Sequence, residues 1–294
     1  MNVTLPGSEQ PIVINWHVTE ACNYHCGYCY AKWDGPSPED LIRDPFATRS
    51  LLTSLYARFG GGIARPRLNF AGGEPLLHAE RLLAAAKLAR AIGFDVSLIS
   101  NGSRLSARWM TELAPHLSVL GLSIDSVRPE VLAAIGRQNQ SGRQLNFEML
   151  EDHVALARCA NPALELKINT VVCAANWEED LAGAIRALSP RRWKVLRMLP
   201  VVSHDLQVTP AQFCAFVQRH AALADVMSVE DTEHMTGSYI MIDPSGRFFQ
   251  NRKGTPGYDY SPPILEVGAK EAFKTIGWSA VKFQARYARG EIAA

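Results

Sequence analysis

Along the first two thirds of the chain, apolar positions recur in two alternating rhythms. Short runs of period two, in which successive side chains point to opposite faces, predict strands at Val13–Thr19, Arg67–Ala71, Val96–Ser100, Val119–Ile124, Glu165–Val172 and Trp193–Leu199. Between them, apolar residues three and four apart predict helices over Pro45–Phe59, His78–Ile92 (stopped by Gly93), Ser106–Leu113, Phe147–Ala160 and Trp177–Leu188, with a short one starting at Pro129. Strand–helix steps repeated in this way require a parallel sheet, because each parallel neighbour needs a crossover. Six strands are too few for a closed eight-stranded barrel, so the expected fold is α/β, an open partial (β/α)6 barrel.

After Pro200 the rhythm breaks. Pro210–Leu223 reads as a helix, Tyr239–Ile242 and Arg247–Phe249 as strands paired across Asp243-Pro244-Ser245-Gly246, and Gly254–Pro263 as a loop carrying two Tyr. This irregular α+β tail, residues 201–294, is expected to cap the mouth of a barrel formed by residues 1–200, the two making one integrated domain.

Several strands have one apolar and one polar face. Ile14, Trp16 and Val18 oppose Asn15, His17 and Thr19; Leu120, Leu122 and Ile124 oppose Gly121, Ser123 and Asp125; Leu164, Leu166 and Ile168 oppose Glu165, Lys167 and Asn169. Parallel strands covered on both sides read as continuous apolar runs. Outer helices must cover the apolar faces, so the polar ones line the barrel interior as a ligand cavity. His17 reads as a core histidine, Tyr258 and Tyr260 as loop packing, and Trp193 as an anchor for a helix outside the barrel.

Composition narrows the class of protein. With 30 Lys+Arg against 29 Asp+Glu the net charge is +1, and 47% of the 294 residues are hydrophobic. That balance opposes bulk binding of nucleic acid or an acidic membrane while leaving room for a local cationic cluster around one small anion. No apolar run approaches membrane-spanning length and no signal peptide is visible, so a cytoplasmic enzyme is expected.

Cysteine usage is uneven. Cys22, Cys26 and Cys29 stand as Cys-x₃-Cys-x₂-Cys directly after the first strand, while Cys159, Cys173 and Cys214 are scattered and read as small core hydrophobes. Three thiolates leave one iron of a 4Fe–4S cluster open to a small ligand. A structural zinc site needs a fourth ligand, which His25 in the same loop could supply. The next strand ends in Gly72-Gly73-Glu74-Pro75, where two glycines let a ligand approach the backbone. Both loops leave the C-terminal ends of strands, where parallel barrels build their active sites.

These residues resemble the radical S-adenosylmethionine (SAM) superfamily, with Tyr28 as the aromatic of its Cys motif and Gly72-Gly73-Glu74-Pro75 as its second motif. Within it the resemblance narrows to the viperin-like enzymes, carried by Asn15-Trp16-His17-Val18-Thr19, Ser100-Asn101-Gly102-Ser103, Ile135-Gly136-Arg137, Lys167-Ile168-Asn169-Thr170, Arg192-Trp193-Lys194-Val195, Ser238-Tyr239 and Asn251-Arg252-Lys253-Gly254. The resemblance implies that Cys22, Cys26 and Cys29 bind a 4Fe–4S cluster chelated by SAM. It further implies that Gly72, Gly73 and Glu74 meet the methionyl amine and Tyr28 the adenine, with Asn101, Ser123 and Arg137 at the ribose and carboxylate of SAM.

The implied reaction dehydrates a nucleoside triphosphate (CTP, UTP or GTP) to its 3′-deoxy-3′,4′-didehydro analogue, an antiviral chain terminator, with electrons from a flavodoxin- or ferredoxin-type reductant. Lys32, Lys167, Asn169, Arg192, Lys194 and Tyr239 are the substrate-binding candidates, since a triphosphate needs several cations. Lys32, Arg252 and Lys253 read equally well as solvated surface charges. Two other readings stand beside this one: a peptide- or cofactor-maturing radical SAM enzyme, and a zinc-stabilised binding protein without catalysis. Neither nucleic acid nor membrane is an expected partner, and a monomer is the expectation for assembly.

Overall fold

The computed structural model describes residues 11–30, 39–200, 203–231, 235–252 and 257–288. The alternation in the sequence becomes β1 (Val13–His17), α1 (Pro45–Phe59), β2 (Arg67–Ala71), α2 (Ala79–Ile92), β3 (Asp95–Ser100) and α3 (Ala107–Leu113). It continues through β4 (Val119–Ser123), α4 (Pro129–Ile135), α5 (Phe147–Ala160), β5 (Glu165–Val172), α6 (Ala182–Leu188) and β6 (Arg192–Arg197). Helix starts carry their own chemistry. Asp44 accepts from the N–H groups of Phe46 and Ala47 ahead of Pro45, and Ser106 and Asn146 cap α3 and α5 in the same way.

The tail adds α7 (Pro210–Arg219), β7 (Met227–Glu230), β8 (Ile240–Ile242), β9 (Phe248–Asn251), β10 (Tyr258–Tyr260), α8 (Ile264–Phe273) and α9 (Ala280–Ala288). The ten strands of the described residues join one sheet in the order β10-β9-β8-β1-β2-β3-β4-β5-β6-β7, parallel from β8 to β7 and antiparallel from β8 to β10. The expected six-stranded parallel barrel is therefore extended at both edges. Much of what was expected as a cap is sheet: β7 lengthens one side, and β8, pairing with β1, lengthens the other. Within Gly254–Pro263, expected to be all loop, β10 pairs with β9.

Two helices are shorter than the periodicity suggests, for local reasons. Trp177–Leu188 is helical only from Ala182, because Asn176 turns its side chain to the Cys173 N–H and Asp180 accepts from the Ala182 N–H. Pro210–Leu223 breaks after Arg219 into a 3-10 turn, where buried His220 accepts from the Leu181 N–H and bonds the Phe216 carbonyl.

The outward strand faces form the core as expected. Ile14, Trp16, Leu68, Phe70, Val96, Leu98, Leu122 and Ile168 are fully buried against the helices. Trp193 packs on Phe216 and His220 beneath α7 and donates its indole N–H to Thr170. Among the described residues no helix is long and apolar enough to cross a membrane.

Candidate functional site

The loop after β1 is clamped between two neighbours by close backbone approaches. On one side Gly73 N–H donates to the Thr19 carbonyl (2.8 Å) and Glu74 N–H to the Ala21 carbonyl (2.9 Å). Gly72 adopts φ +132°, and a Cβ on Gly73 would lie 2.1 Å from the Ala21 oxygen, so only glycine allows the contact. On the other side His25 N–H and Gly27 N–H donate to the carbonyls of Gly136 and Ile135 at the end of α4. A Cβ on Gly136 would meet the His25 oxygen at 2.5 Å.

This clamp presents Cys22, Cys26 and Cys29 half-buried, with none in a disulfide. The Tyr24 N–H and the Asn101 side-chain amide both point at Cys22 Sγ, at 3.4 and 3.7 Å. Burial raises the Cys22 thiol and pushes Cys26 up to about 12. Among the described residues no three His, Cys, Asp or Glu side chains are gathered for a single metal ion. Three thiols on one loop, with N–H donors aimed at sulfur, fit an iron–sulfur cluster, whose potential such hydrogen bonds tune.

Beneath the loop lies a buried polar network. Glu74 is inaccessible to solvent, and its carboxylate accepts from Leu76 N–H (3.0 Å), Ser100 Oγ (2.9 Å) and Asn101 N–H (2.8 Å), tying the ends of β2 and β3 together. Burial raises its pKa against those donors. Arg137 donates to Asp125 Oδ2 (2.6 Å) and to the Ser123 carbonyl (2.5 Å), and Tyr28 donates its hydroxyl to the same Asp125 oxygen. The other Asp125 oxygen accepts from Val171 N–H, so one carboxylate joins the Cys loop, the end of β4, the turn after α4 and β5. Burial and this carboxylate hold the Tyr28 hydroxyl well above its ordinary range.

Inside the sheet is a cavity of about 420 Å³. Its lining includes the first residues of six strands (Val13, Arg67, Val119, Glu165, Arg192 and Met227), so it reaches the end of the barrel opposite the Cys loop. Phe283 of α9 lines it as well. Lys167 and Arg192 are register partners on β5 and β6, as are Asn169 and Lys194, and Ser123 continues the latter row on β4. The Asn169 side-chain oxygen is buried and has no hydrogen-bond partner among the described residues. Ser97, Asn69 and Asn15 form a hydrogen-bonded ladder across β3, β2 and β1 that ends on the Ile240 carbonyl of β8.

The open side of the sheet is bridged by side chains. Lys194 Nζ pairs with Glu230 Oε1 of β7 (2.7 Å), and Tyr239, the residue before β8, donates to Glu230 Oε2 (2.6 Å) and contacts Lys194. All three line the cavity.

The structure thus gathers the candidate residues into two groups. Cys22, Cys26, Cys29, Tyr28, Gly72, Gly73, Glu74, Asn101, Ser123 and Arg137 surround the Cys-loop end. Lys167, Arg192, Lys194 and Tyr239 line the cavity. Lys32 and Lys253 lie outside the described residues, and Arg252 is exposed and paired with Asp259. His17 is buried against Tyr30 and Phe249, as a core histidine. Asp125 and Glu230 are the polar residues that sequence reasoning left without a role. Asp125 was visible on the polar face of β4, whereas Glu230 lies in a strand too short to announce itself.

The family model of the radical SAM superfamily matches residues 16–153. The chain is 42% identical over 289 residues to an S-adenosylmethionine-dependent nucleotide dehydratase of Pseudoalteromonas ulvae, covering 95% of this chain and 94% of that one. It is 38% identical to a protein of the same name from Psychrobacter lutiphocae, over 97% of both chains. A solved structure described as native anSMEcpe with bound AdoMet superposes with a TM-score of 0.66, covering 94% of this chain and 82% of that one; at 16% identity the likeness is one of fold.

Proposed function

We infer the reaction from one premise: this chain belongs to the radical SAM superfamily and, within it, to the SAM-dependent nucleotide dehydratases. We propose that its substrate is a ribonucleoside triphosphate (CTP, UTP or GTP) and its product the 3′-deoxy-3′,4′-didehydro analogue, a chain terminator directed at viral polymerases. Cys22, Cys26 and Cys29 would hold a 4Fe–4S cluster and with it SAM, which would supply the radical chemistry that removes the ribose 4′-hydrogen and so allows the 3′-hydroxyl to leave as water.

The chain's own part is to hold and to exclude. Cys22, Cys26 and Cys29 ligate the cluster. Gly72 and Gly73 set the height of the loop by their backbone contacts, and Glu74 locks the turn through three donors rather than offering a free carboxylate. In this reading Asn101, Ser123 and Arg137 would meet the ribose and carboxylate of SAM, and Tyr28 its adenine. Lys167, Arg192 and Lys194 receive the triphosphate, Asn169 donates or accepts at the ribose or α-phosphate, and Tyr239 closes the same wall. The sheet around them keeps water and stray hydrogen donors from the reacting carbon.

One observation supports the reading: Arg67, Lys167, Arg191, Arg192 and Lys194 outnumber Glu165, Asp225 and Glu230 along a cavity inside the barrel, in register with an Asn169 whose buried oxygen has no partner among the described residues. A polyanion answers that arrangement. The test uses anaerobically reconstituted enzyme with SAM, dithionite and each nucleoside triphosphate in turn, following 5′-deoxyadenosine and, by mass spectrometry, a nucleotide lighter by one water. Stimulation by one triphosphate, with Lys167→Ala raising its KM, is the expected result. SAM cleavage that no nucleotide stimulates would sink the proposal.

A further inference from the structure

The proposed reaction has an electron balance that the cavity does not serve. Loss of water from the ribose is redox-neutral. Splitting SAM into methionine and 5′-deoxyadenosine takes up two electrons and one proton. The first electron breaks the carbon–sulfur bond, and the second reaches the substrate radical as the 3′-hydroxyl departs with the proton. Both must enter from outside, one at a time, through the cluster end of the molecule.

A second depression, of about 510 Å³, lies on the outer side of the Cys loop and shares no lining residue with the substrate cavity. We propose that this groove is the docking surface for an acidic one-electron carrier protein of the flavodoxin or ferredoxin type. The proposal rests on the radical SAM reading given above.

Position is the first argument. Cys22, a cluster ligand in that reading, lines the groove itself, so a carrier seated there reaches the cluster without crossing the barrel. The wall is also wired to that sulfur by hydrogen bonds. Asn23 donates to Ser103 Oγ (2.9 Å), Asn101 donates to Asn23 (3.2 Å), and the same Asn101 amide points at Cys22 Sγ.

Charge is the second argument. Arg104 and Arg143 are exposed in the lining of this groove together with His25, and none of the described lining residues is acidic. In a chain of net charge +1 that is a local excess, not the spill-over of a basic protein. Complementary charge steers association and fixes the orientation of a partner.

Rigidity is the third. Asn139 Oδ1 accepts from Ser141 N–H, Ser141 Oγ and Arg143 N–H, making a braced turn that presents Arg143. Arg104 follows Ser103, itself bonded to Asn101 and Asn23. Neither arginine belongs to the SAM or substrate groups described above.

The test compares two sources of electrons on reconstituted holoenzyme with SAM and triphosphate. One is dithionite, which needs no docking. The other is NADPH with flavodoxin reductase and flavodoxin, repeated with a plant-type ferredoxin. With Arg104→Glu and Arg143→Glu together, the carrier-driven rate of 5′-deoxyadenosine formation is expected to fall about tenfold or more, with a higher carrier concentration at half-maximal rate. The dithionite-driven rate and the iron content stay unchanged. Added salt should slow the wild type with carrier but leave the double variant insensitive.

Three results overturn the proposal: a double variant that keeps the carrier-driven rate and its salt dependence, an equal fall with dithionite, or a wild type that neither carrier supports. A groove that instead takes up a small anion and blocks neither carrier also overturns it. Failure of the underlying reading is separately visible, as wild-type enzyme that does not cleave SAM even with dithionite.

Discussion

Gly73→Ala is the substitution that most directly tests how the Cys loop is held. A Cβ at Gly73 would lie 2.1 Å from the Ala21 oxygen and 2.7 Å from the Glu20 oxygen, against an ordinary contact of 3.4 Å. Both obstacles are backbone, so no side chain can swing aside. The strand of loop at Glu20–Ala21 has to retreat by more than an ångström. That breaks the pair of hydrogen bonds from Gly73 and Glu74 to Thr19 and Ala21, worth about 0.5–1.5 kcal/mol each, and adds overpacking strain of about 1–3 kcal/mol. The sum, on the order of 2–6 kcal/mol, threatens a fold whose whole stability is of order 5–15 kcal/mol without abolishing it. Cys22 follows directly on the displaced segment, and an ångström of misplacement costs roughly a hundredfold in rate. We therefore expect native far-UV circular dichroism, a lower denaturation midpoint, and a dithionite-driven 5′-deoxyadenosine rate down about a hundredfold, with or without loss of iron per chain. Gly183→Ala, whose Cβ meets nothing within 4 Å, is the matched control. Wild-type iron content and rate in Gly73→Ala would refute the clamp.

Two further predictions concern stability. Burial lowers the His17 pKa from 6.5 to about 3, so the fold keeps the ring neutral while the unfolded chain takes up a proton. The associated stability is complete above pH 6.5 and is lost as pH falls towards 3, at up to about 1.4 kcal/mol per unit; denaturant titrations should show that slope in the wild type and a shallower one in His17→Asn, and equal slopes would remove the assignment. Asp125→Asn leaves Arg137 buried without its counter-charge, so a loss of about 3–5 kcal/mol is expected. The exposed Arg128–Glu130 pair sets the comparison: if Asp125→Asn lowers the thermal midpoint no more than Glu130→Gln does, the buried network is not what holds the four segments together.

The parts of this molecule that could be read from the chain were those written locally. The Cys triplet lies within eight residues, and β1, β4 and β5 each carry a polar face opposite an apolar one, so the cofactor loop and the lined interior were both legible. Lys167 could be nominated for the same reason, and Arg192 and Lys194 through the Arg-Trp-Lys-Val block that carries the family resemblance. What stayed hidden was set by distant partners. The strand at Tyr239–Ile242 and its hairpin partner were legible, but the pairing of β8 with the free edge of β1, more than two hundred residues earlier, was not. Glu230 owes its meaning to Lys194 and Tyr239, and Asp125 to Arg137 beyond the next helix; no spacing rule links either set. The end of the barrel to which the cations belong also followed only from strand register.

The unclosed side of the sheet has a consequence for how such a chamber changes size. In a closed barrel, girth is set by strand number and shear and moves only in whole steps, because every ladder must re-register. Here β7 pairs with β6 alone among the described strands, and the gap facing β8 is fastened by Lys194, Glu230 and Tyr239. A split ring of this kind is not bound to whole steps: among the described residues the contacts of Tyr239 with Glu230 and Lys194 bridge the gap, and no backbone ladder crosses it. The bore can be retuned by exchanging three residues at the fastening, so a guest of different bulk does not demand a new fold.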